Sequence, residues 1–292
     1  MQVGPRQLLH YIHVMQVGPR EGATGDTGAA MKLRSTSPSL KAIGFDLFNT
    51  LVTVEPQALT EAVDRLRASL QDGGLDVDGD AFRYEHRQAA LEFIEEARRT
   101  GRETHNRFWI GRALQRLGHA VPPDDPRIGA AVEHYFSAFG ELSRLVPGTL
   151  EMLQALASRY RLGLLSNFTH APAARAILDR LGLAPFFSTV LISGDLGYRK
   201  PHPEVFERLA RDLGASKDEL IYVGDDPEPD VDGAMDSGIR PVWTTYVRDR
   251  DIALAPGVAS RQTEGPRNPA ERISRWDDLL ALLDGPLLAG PS

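Results

Sequence analysis

The chain has 292 residues, 42% of them apolar and 25% charged, the balance of an ordinary globular protein with room for one large core or two modest ones. A formal net charge of −7 argues against a nucleic-acid partner, and no run approaches the ~18 to 20 apolar residues that span a bilayer. Zero cysteines exclude disulfides and thiolate metal sites and suit the cytoplasm, the expected location.

At the N-terminus the hexapeptide Met1–Arg6 recurs as Met15–Arg20, and 21–30 is rich in Gly, Thr and Ala. Such a duplication reads as an added leader or start-site artefact, with Met31 as the native start, or else as a natural disordered tail. No long apolar run follows the charged residues, so a secretory signal is not expected, and 1–38 is left outside the fold. Lys41–Phe45 is an apolar run that ends on Asp46, as a buried strand gives way to a turn. Between 56 and 145 the pattern becomes helical, and no strand is predicted. Leu59, Val63, Leu66 and Leu70 form one stripe, Ala90, Phe93, Ile94 and Ala97 a second, and Phe108, Ile110, Leu114 and Leu117 a third. Gly73-Gly74, Gly101 and Pro122-Pro123 punctuate them.

From Pro147 onward, short apolar runs alternate with helical patterns. Residues 161–165, 188–192, 220–223 and 241–245 read as buried parallel strands. Ala174, Ile177, Leu178 and Leu181 mark one helix packed on a sheet, and Val205, Leu209 and Leu213 another. Residues 248–270 read as a polar loop, and Ile273, Trp276, Leu279, Leu280 and Leu283 as a last helix. The alternation predicts an α/β fold: a doubly wound parallel sheet over 39–55 and 146–287, with an all-helical cap subdomain, 56–145, inserted after the first strand. Pro56 and Pro147-Gly148 mark the crossings. The alternative is one larger α/β domain with extra helices.

Ligands of such sheets sit at the carboxyl ends of the strands, where Asp46, Ser166 and Asp225 fall. A lone carboxylate at Asp46 is poorly placed for packing and well placed for attack; the plainer alternative is a turn cap. Ser166 and Asn167 offer a hydroxyl and backbone N–H groups at a strand-to-helix junction, an anion pocket or, standing alone, an ordinary helix cap. Lys200, followed by Pro201, is a flexible point charge suited to neutralising a phosphoryl group and a carboxylate together, while Arg199 reads as solvated. Asp225, Asp226 and Asp230 would repel one another in a water-poor cleft unless a cation or a lysine sat among them. A few hard oxygens suit Mg²⁺, which keeps several waters and takes further ligands from substrate phosphate. The alternative is an exposed acidic turn. The eight histidines are scattered without metal-ligand spacing, so zinc is not expected.

Taken in order, Asp46–Thr50, Ser166-Asn167, Lys200-Pro201 and Gly224–Asp230 resemble the four-part signature of the haloacid dehalogenase (HAD) superfamily of hydrolases, over residues 40–285. The resemblance implies a Rossmann-like core with an inserted cap, and a Mg²⁺-dependent phosphatase acting on a small phosphorylated metabolite, a phosphate ester or acyl phosphate. By it, Asp46 is the nucleophile that forms an aspartyl intermediate, which water then cleaves. Thr50 positions the loop, and Ser166, Asn167 and Lys200 hold the phosphate. Asp46, the backbone carbonyl of Phe48 and Asp225 ligate the metal, with Asp226 and Asp230 acting through water or orienting Lys200.

One position departs from this pattern. Phosphatases of the group carry a second aspartate, first general acid and then base, where this chain has Phe48. Losing such a group costs about 10²–10⁴ in rate. Activity is then confined to acyl or aryl phosphates, or His170 substitutes as the acid, or the chemistry is not phosphoryl transfer. The 2-haloacid dehalogenases of the superfamily carry an aromatic residue there, since halide leaves unassisted. Against that second reading, Asp225 stands where those enzymes carry an uncharged hydroxyl residue, and Phe206 where a tyrosine is expected. A third reading is a catalytically poor protein that binds a phosphorylated ligand or a partner. In the cap, Arg83, Tyr84, Arg87, Asn106, Arg107 and Trp109 are candidates to face the cleft and choose the substrate, with Trp109 expected to pack.

Overall fold

The apolar runs that read as strands pair into one parallel sheet, buried on both faces as such sheets require. The computed structural model describes residues 39–255, 265–267 and 270–285; the duplicated leader and part of the predicted 248–270 loop lie outside the described residues. The strands are β1 (Ala42–Phe45), β2 (Val52–Val54), β3 (Ser143–Leu145), β4 (Arg161–Ser166), β5 (Thr189–Ile192), β6 (Leu220–Gly224), β7 (Arg240–Thr244) and β8 (Glu271–Ile273). Six form the parallel sheet in the order β5-β4-β1-β6-β7-β8, while β2 and β3 pair as a separate antiparallel ribbon. The helices are α1 (Ala58–Asp72), α2 (Gly79–Thr100), α3 (Arg107–Arg116), α4 (Pro126–Leu142), α5 (Thr149–Ala157), α6 (Ala171–Arg180), α7 (Ser193–Leu196), α8 (Pro203–Leu213), α9 (Gly233–Asp236) and α10 (Trp276–Asp284). This is the predicted doubly wound α/β core with an inserted block of helices. Among the described residues no helix is long and apolar enough to cross a membrane.

The strand order positions the site. From β1 the sheet grows toward β4 and β5 on one side and toward β6, β7 and β8 on the other, so the direction of winding switches beside β1. A crevice opens at the carboxyl ends at such a point. Phe45 is level with Leu164 and with Val223, so Asp46, Ser166 and Asp225 leave the sheet side by side. The ribbon pairs Val52 with Leu145 and Val54 with Ser143, and the chain leaves for α1–α4 and returns through it.

Three short strands, β2, β3 and β8, fall where none is predicted. β3 lies inside the span read as all-helical, and β8 claims Ile273, which the apolar pattern assigned to α10. Three residues are too few to show an alternating period. The helical stripes are also turned. α1 buries Ala58, Ala62, Leu66 and Leu70, whereas Leu59 is exposed and joins Val63 in lining a cavity. On α2 the buried set is Phe82, His86, Ala89 and Ala97, and Ala90 and Ile94 face the same cavity.

α8 lies against the sheet where Gly44 of β1 and Gly163 of β4 stand in register. A methyl carbon placed on Gly163 would fall 2.8 Å from Leu209 Cδ1 and 3.0 Å from Leu213 Cδ1, and one on Gly44 would fall 2.6 Å from Leu209 Cδ2. The bare backbone lets the buried stripe of α8 settle on the strands. Gly163→Val is expected to lower unfolding stability by about 1–3 kcal/mol through overpacking. Chemical denaturation measures this, and an unshifted midpoint would mean that α8 yields without cost.

Candidate active site

Asp46 sits one residue beyond β1, buried, with its N–H donated to the Val223 carbonyl at 2.9 Å. The turn behind it is tightened by the Leu47 carbonyl, which accepts from the N–H groups of Leu51 and Val52 at 2.9 and 3.0 Å. Asn49 takes the left-handed conformation (φ 61°), which asparagine tolerates better than most residues, and its Oδ1 accepts from the Ala255 N–H at 2.9 Å. These bonds fix the direction in which the Asp46 carboxylate points. The Phe48 ring stacks on Phe168 with centroids 5.0 Å apart and planes 22° from parallel.

Lys200 is the hub. Its buried Nζ donates to Asp46 Oδ1 at 2.6 Å, to Asp230 Oδ1 at 2.6 Å and to the Tyr222 hydroxyl at 2.7 Å, which engages all three of its hydrogens. Tyr222 in turn donates to the Leu165 carbonyl at 2.8 Å. The sequence reading missed Tyr222. Its ring packs edge-on against Phe206, the position where a tyrosine was expected, with centroids 5.3 Å apart. A single hydroxyl in an otherwise aliphatic buried strand was the available signal.

Asn167 lines the cavity, and its side chain is engaged with Lys200. Its Oδ1 accepts from the Lys200 N–H at 2.8 Å and its Nδ2 donates to the Lys200 carbonyl at 3.0 Å, so the side chain anchors the lysine's backbone. Ser166 is buried at the end of β4 and lines the cavity. Arg199, read as solvated, is half-buried on the cavity wall with Nη1 3.4 Å from Glu103 Oε1.

The acidic segment brings two carboxylates to the same point. Asp225 Oδ1 accepts from Thr50 Oγ1 at 3.4 Å, and its backbone carbonyl accepts from Trp243 Nε1 at 2.9 Å. Among the described residues, Asp225 Oδ2 is buried with no partner. Asp230 Oδ2 accepts from the Asp226 N–H at 2.9 Å, and a methyl carbon on Gly224 would meet the Asp230 side chain at 2.5 Å, so only glycine admits this approach. One oxygen each from Asp46, Asp225 and Asp230 lies within 4.8 Å of the others. Asp226, half-buried beside them, lines the cavity.

The electrostatics follow from burial. Desolvation pushes the Asp46 carboxyl up to about 7 against the pull of Lys200, and carries Asp225 well above its ordinary value. Asp226 rises to about 6, through burial and then through Asp230. Burial opposes the Lys200 ammonium, yet Asp230 and Asp46 hold it above its usual value. One ammonium faces more carboxylate than it can balance.

The cavity over these groups has a volume of about 630 Å³. Of the six cap residues proposed to face it, Arg83, Arg87 and Trp109 line it, so Trp109 does more than pack. Tyr84 is 61% exposed, Asn106 is buried, and neither they nor Arg107 reach the lining. His170 also lies outside it: the ring stacks on Phe136 at 4.9 Å, and Nδ1 is 3.1 Å from His105 Nε2.

Known proteins resemble the chain over this same region. It is 33% identical over 223 residues to the phosphoglycolate phosphatase of Rhodospirillum rubrum, covering 75% of this chain and 85% of that one. It is 30% identical over 242 residues to the ribulose-1,5-bisphosphate 5-phosphatase of Halopiger xanaduensis, covering 82% and 99%. The solved 2-haloacid dehalogenase of Pseudomonas syringae pv. tomato superposes with a TM-score of 0.62 at 24% identity over 84% of this chain and 98% of that one, a likeness of fold. The sequence model of the haloacid dehalogenase-like hydrolases matches residues 40–238, which hold β1, the inserted helices and every acidic and basic residue gathered at the crevice, and the chain belongs to that family.

Proposed function

We propose that this hydrolase is a Mg²⁺-dependent phosphatase, turning over small phosphate esters or acyl phosphates through a covalent intermediate on Asp46. The helical block 56–145 acts as a cap over a core of 39–55 and 146–287. One observation carries the reading: three buried carboxylates, from Asp46, Asp225 and Asp230, converge within 4.8 Å while the Lys200 ammonium is saturated and Asp225 Oδ2 has no partner among the described residues. Such crowding in a dry site favours a further positive charge. A small set of hard oxygens suits Mg²⁺. Asp46, Asp225 and the Phe48 carbonyl would hold the ion, with Asp226 and Asp230 acting through water. When bound, it supplies charge neutralisation between the carboxylate and the phosphoryl oxygens.

The protein's own groups account for the rest. An Asp46 oxygen attacks phosphorus as the bond from phosphorus to the leaving oxygen breaks, and that oxygen departs with the electron pair. Lys200 holds the carboxylate in orientation; with its hydrogens engaged, its action on phosphate is electrostatic. The Ser166 hydroxyl and the neighbouring backbone N–H groups receive phosphoryl oxygens. Water then attacks the phosphorus of the aspartyl phosphate, which frees inorganic phosphate and restores Asp46. Phe48 has no proton to give, so acyl and aryl phosphates, whose leaving groups depart as anions, are the preferred substrates. The phosphatase relatives support phosphoryl chemistry.

The Phe48–Phe168 stack favours a second reading, a 2-haloacid dehalogenase in which halide leaves Cα without a proton. That reaction makes no use of the unpartnered Asp225 oxygen. A direct assay decides. Acetyl phosphate and p-nitrophenyl phosphate are expected to release phosphate with Mg²⁺, falling to background when EDTA removes it. Metal-independent chloride release from 2-chloropropionate, with no phosphate release, would overturn the phosphatase reading. Binding without either reaction would identify a catalytically poor receptor.

A further inference from the structure

We propose that the cavity above Asp46 accepts a substrate with an aromatic body and a second anionic group, the phosphoryl group lying at Asp46 and the second anion at Arg87. The inference rests on the phosphatase reading and extends it to a substrate class.

Volume is the first argument. At about 630 Å³ the cavity matches sites that enclose ligands of many atoms, commonly ~300–1,000 Å³, and a compact phosphate would leave most of it filled with water. The second argument is its wall. Phe48, at the reaction end, meets Phe168 at 5.0 Å; Phe168 meets Phe136 at 5.0 Å, Phe136 meets Tyr135 at 5.0 Å, and Tyr135 meets His86 at 5.9 Å. All five rings line the cavity. They form one unbroken aromatic surface from the nucleophile to α2, and a planar ring gains both area and ring–ring geometry by lying on it.

The third argument is charge at the far end of that wall. Arg83 and Arg87, one turn apart on α2, both face the cavity. Arg83 is paired with Asp64 and Asp80 at 2.9 and 3.5 Å. Arg87 has no ion-pair or hydrogen-bond partner among the described residues. A guanidinium presents a rigid fork that fits a carboxylate or phosphate by two hydrogen bonds. His86, its chain neighbour, is pushed down to about 4 by burial, so it stays neutral near physiological pH and brings no competing charge. A ring resting on the wall therefore directs its far substituent toward Arg87.

Calorimetry on the full chain with Mg²⁺ tests this with three non-hydrolysable ligands: methylphosphonate, 2-phenylethylphosphonate and 2-(4-carboxyphenyl)ethylphosphonate. Acetyl phosphate hydrolysis is followed on the same sample. The phenyl ring is expected to tighten binding about 30-fold, and the carboxylate about tenfold more. Arg87→Gln should remove the carboxylate gain and keep the ring gain, with Arg87→Lys returning part of it. Equal affinity for the methyl and phenylethyl ligands, with acetyl phosphate hydrolysis intact, refutes the substrate class and leaves the phosphatase reading standing. A carboxylate gain that survives Arg87→Gln refutes the second site. Absence of both hydrolysis and phosphonate binding overturns the two readings together.

Discussion

Asp46→Asn is expected to lower turnover of acetyl phosphate and p-nitrophenyl phosphate by about 10⁴–10⁶, the scale on which loss of a nucleophile acts. The substitution keeps the side chain's shape, and an amide oxygen still accepts the 2.6 Å bond from Lys200 Nζ. What it removes is the attacking lone pair of a carboxylate and one negative charge. It also relieves the repulsion among Asp46, Asp225 and Asp230, so unfolding stability should hold or rise while activity disappears. That opposition separates loss of chemistry from loss of fold. Wild-type enzyme quenched in mid-turnover should carry one phosphoryl group on the peptide containing Asp46, and the variant none. Turnover within tenfold of wild type would end the covalent mechanism.

Much of this site is legible in the chain because a parallel sheet buries apolar residues throughout and then stops. Asp46, Ser166 and Asp225 each end or follow such a run, and the sheet register brings them within one residue of level. The contacts that organise the site are long-range, and no local period encodes them. Tyr222 reaches Lys200 from β6, and Oδ1 and Nδ2 of Asn167 both bond the Lys200 backbone 33 residues away. Arg199 reads as solvated until Glu103, from the segment between α2 and α3, comes to meet it. The helical stripes expose a different ambiguity. Leu59, Val63, Ala90 and Ile94 repeat with helical spacing, yet they line a cavity rather than fill a core. Hydrophobic periodicity reports which face turns from bulk water; it does not distinguish a packed interior from a pocket awaiting an apolar ligand.

Phe48→Asp is expected to raise turnover of simple alkyl phosphates by about 10²–10⁴, with little gain on acetyl phosphate. An alkoxide is a poor leaving group without a proton, whereas acetate departs as a stable anion, so an acid restored at this position acts on one class and not the other. The substitution carries a structural cost. The Phe48 ring is 8% exposed and stacked on Phe168 at 5.0 Å, and deleting a buried phenyl ring commonly costs about 3–5 kcal/mol. A new carboxylate beside Asp46, Asp225 and Asp230 adds repulsion, which strengthens the demand for Mg²⁺. Phe48→Asn supplies the control, because it opens the same gap and places a polar group there without a transferable proton. Stability should fall in both variants, and alkyl turnover should rise only in Phe48→Asp. His170→Ala, made in that background, should leave the gain intact, since the imidazole is turned toward His105 and Phe136 outside the cavity lining. An equal rise in Phe48→Asn would trace the limit to the bulk of the ring, and loss of the gain with His170→Ala would identify the imidazole as the proton donor.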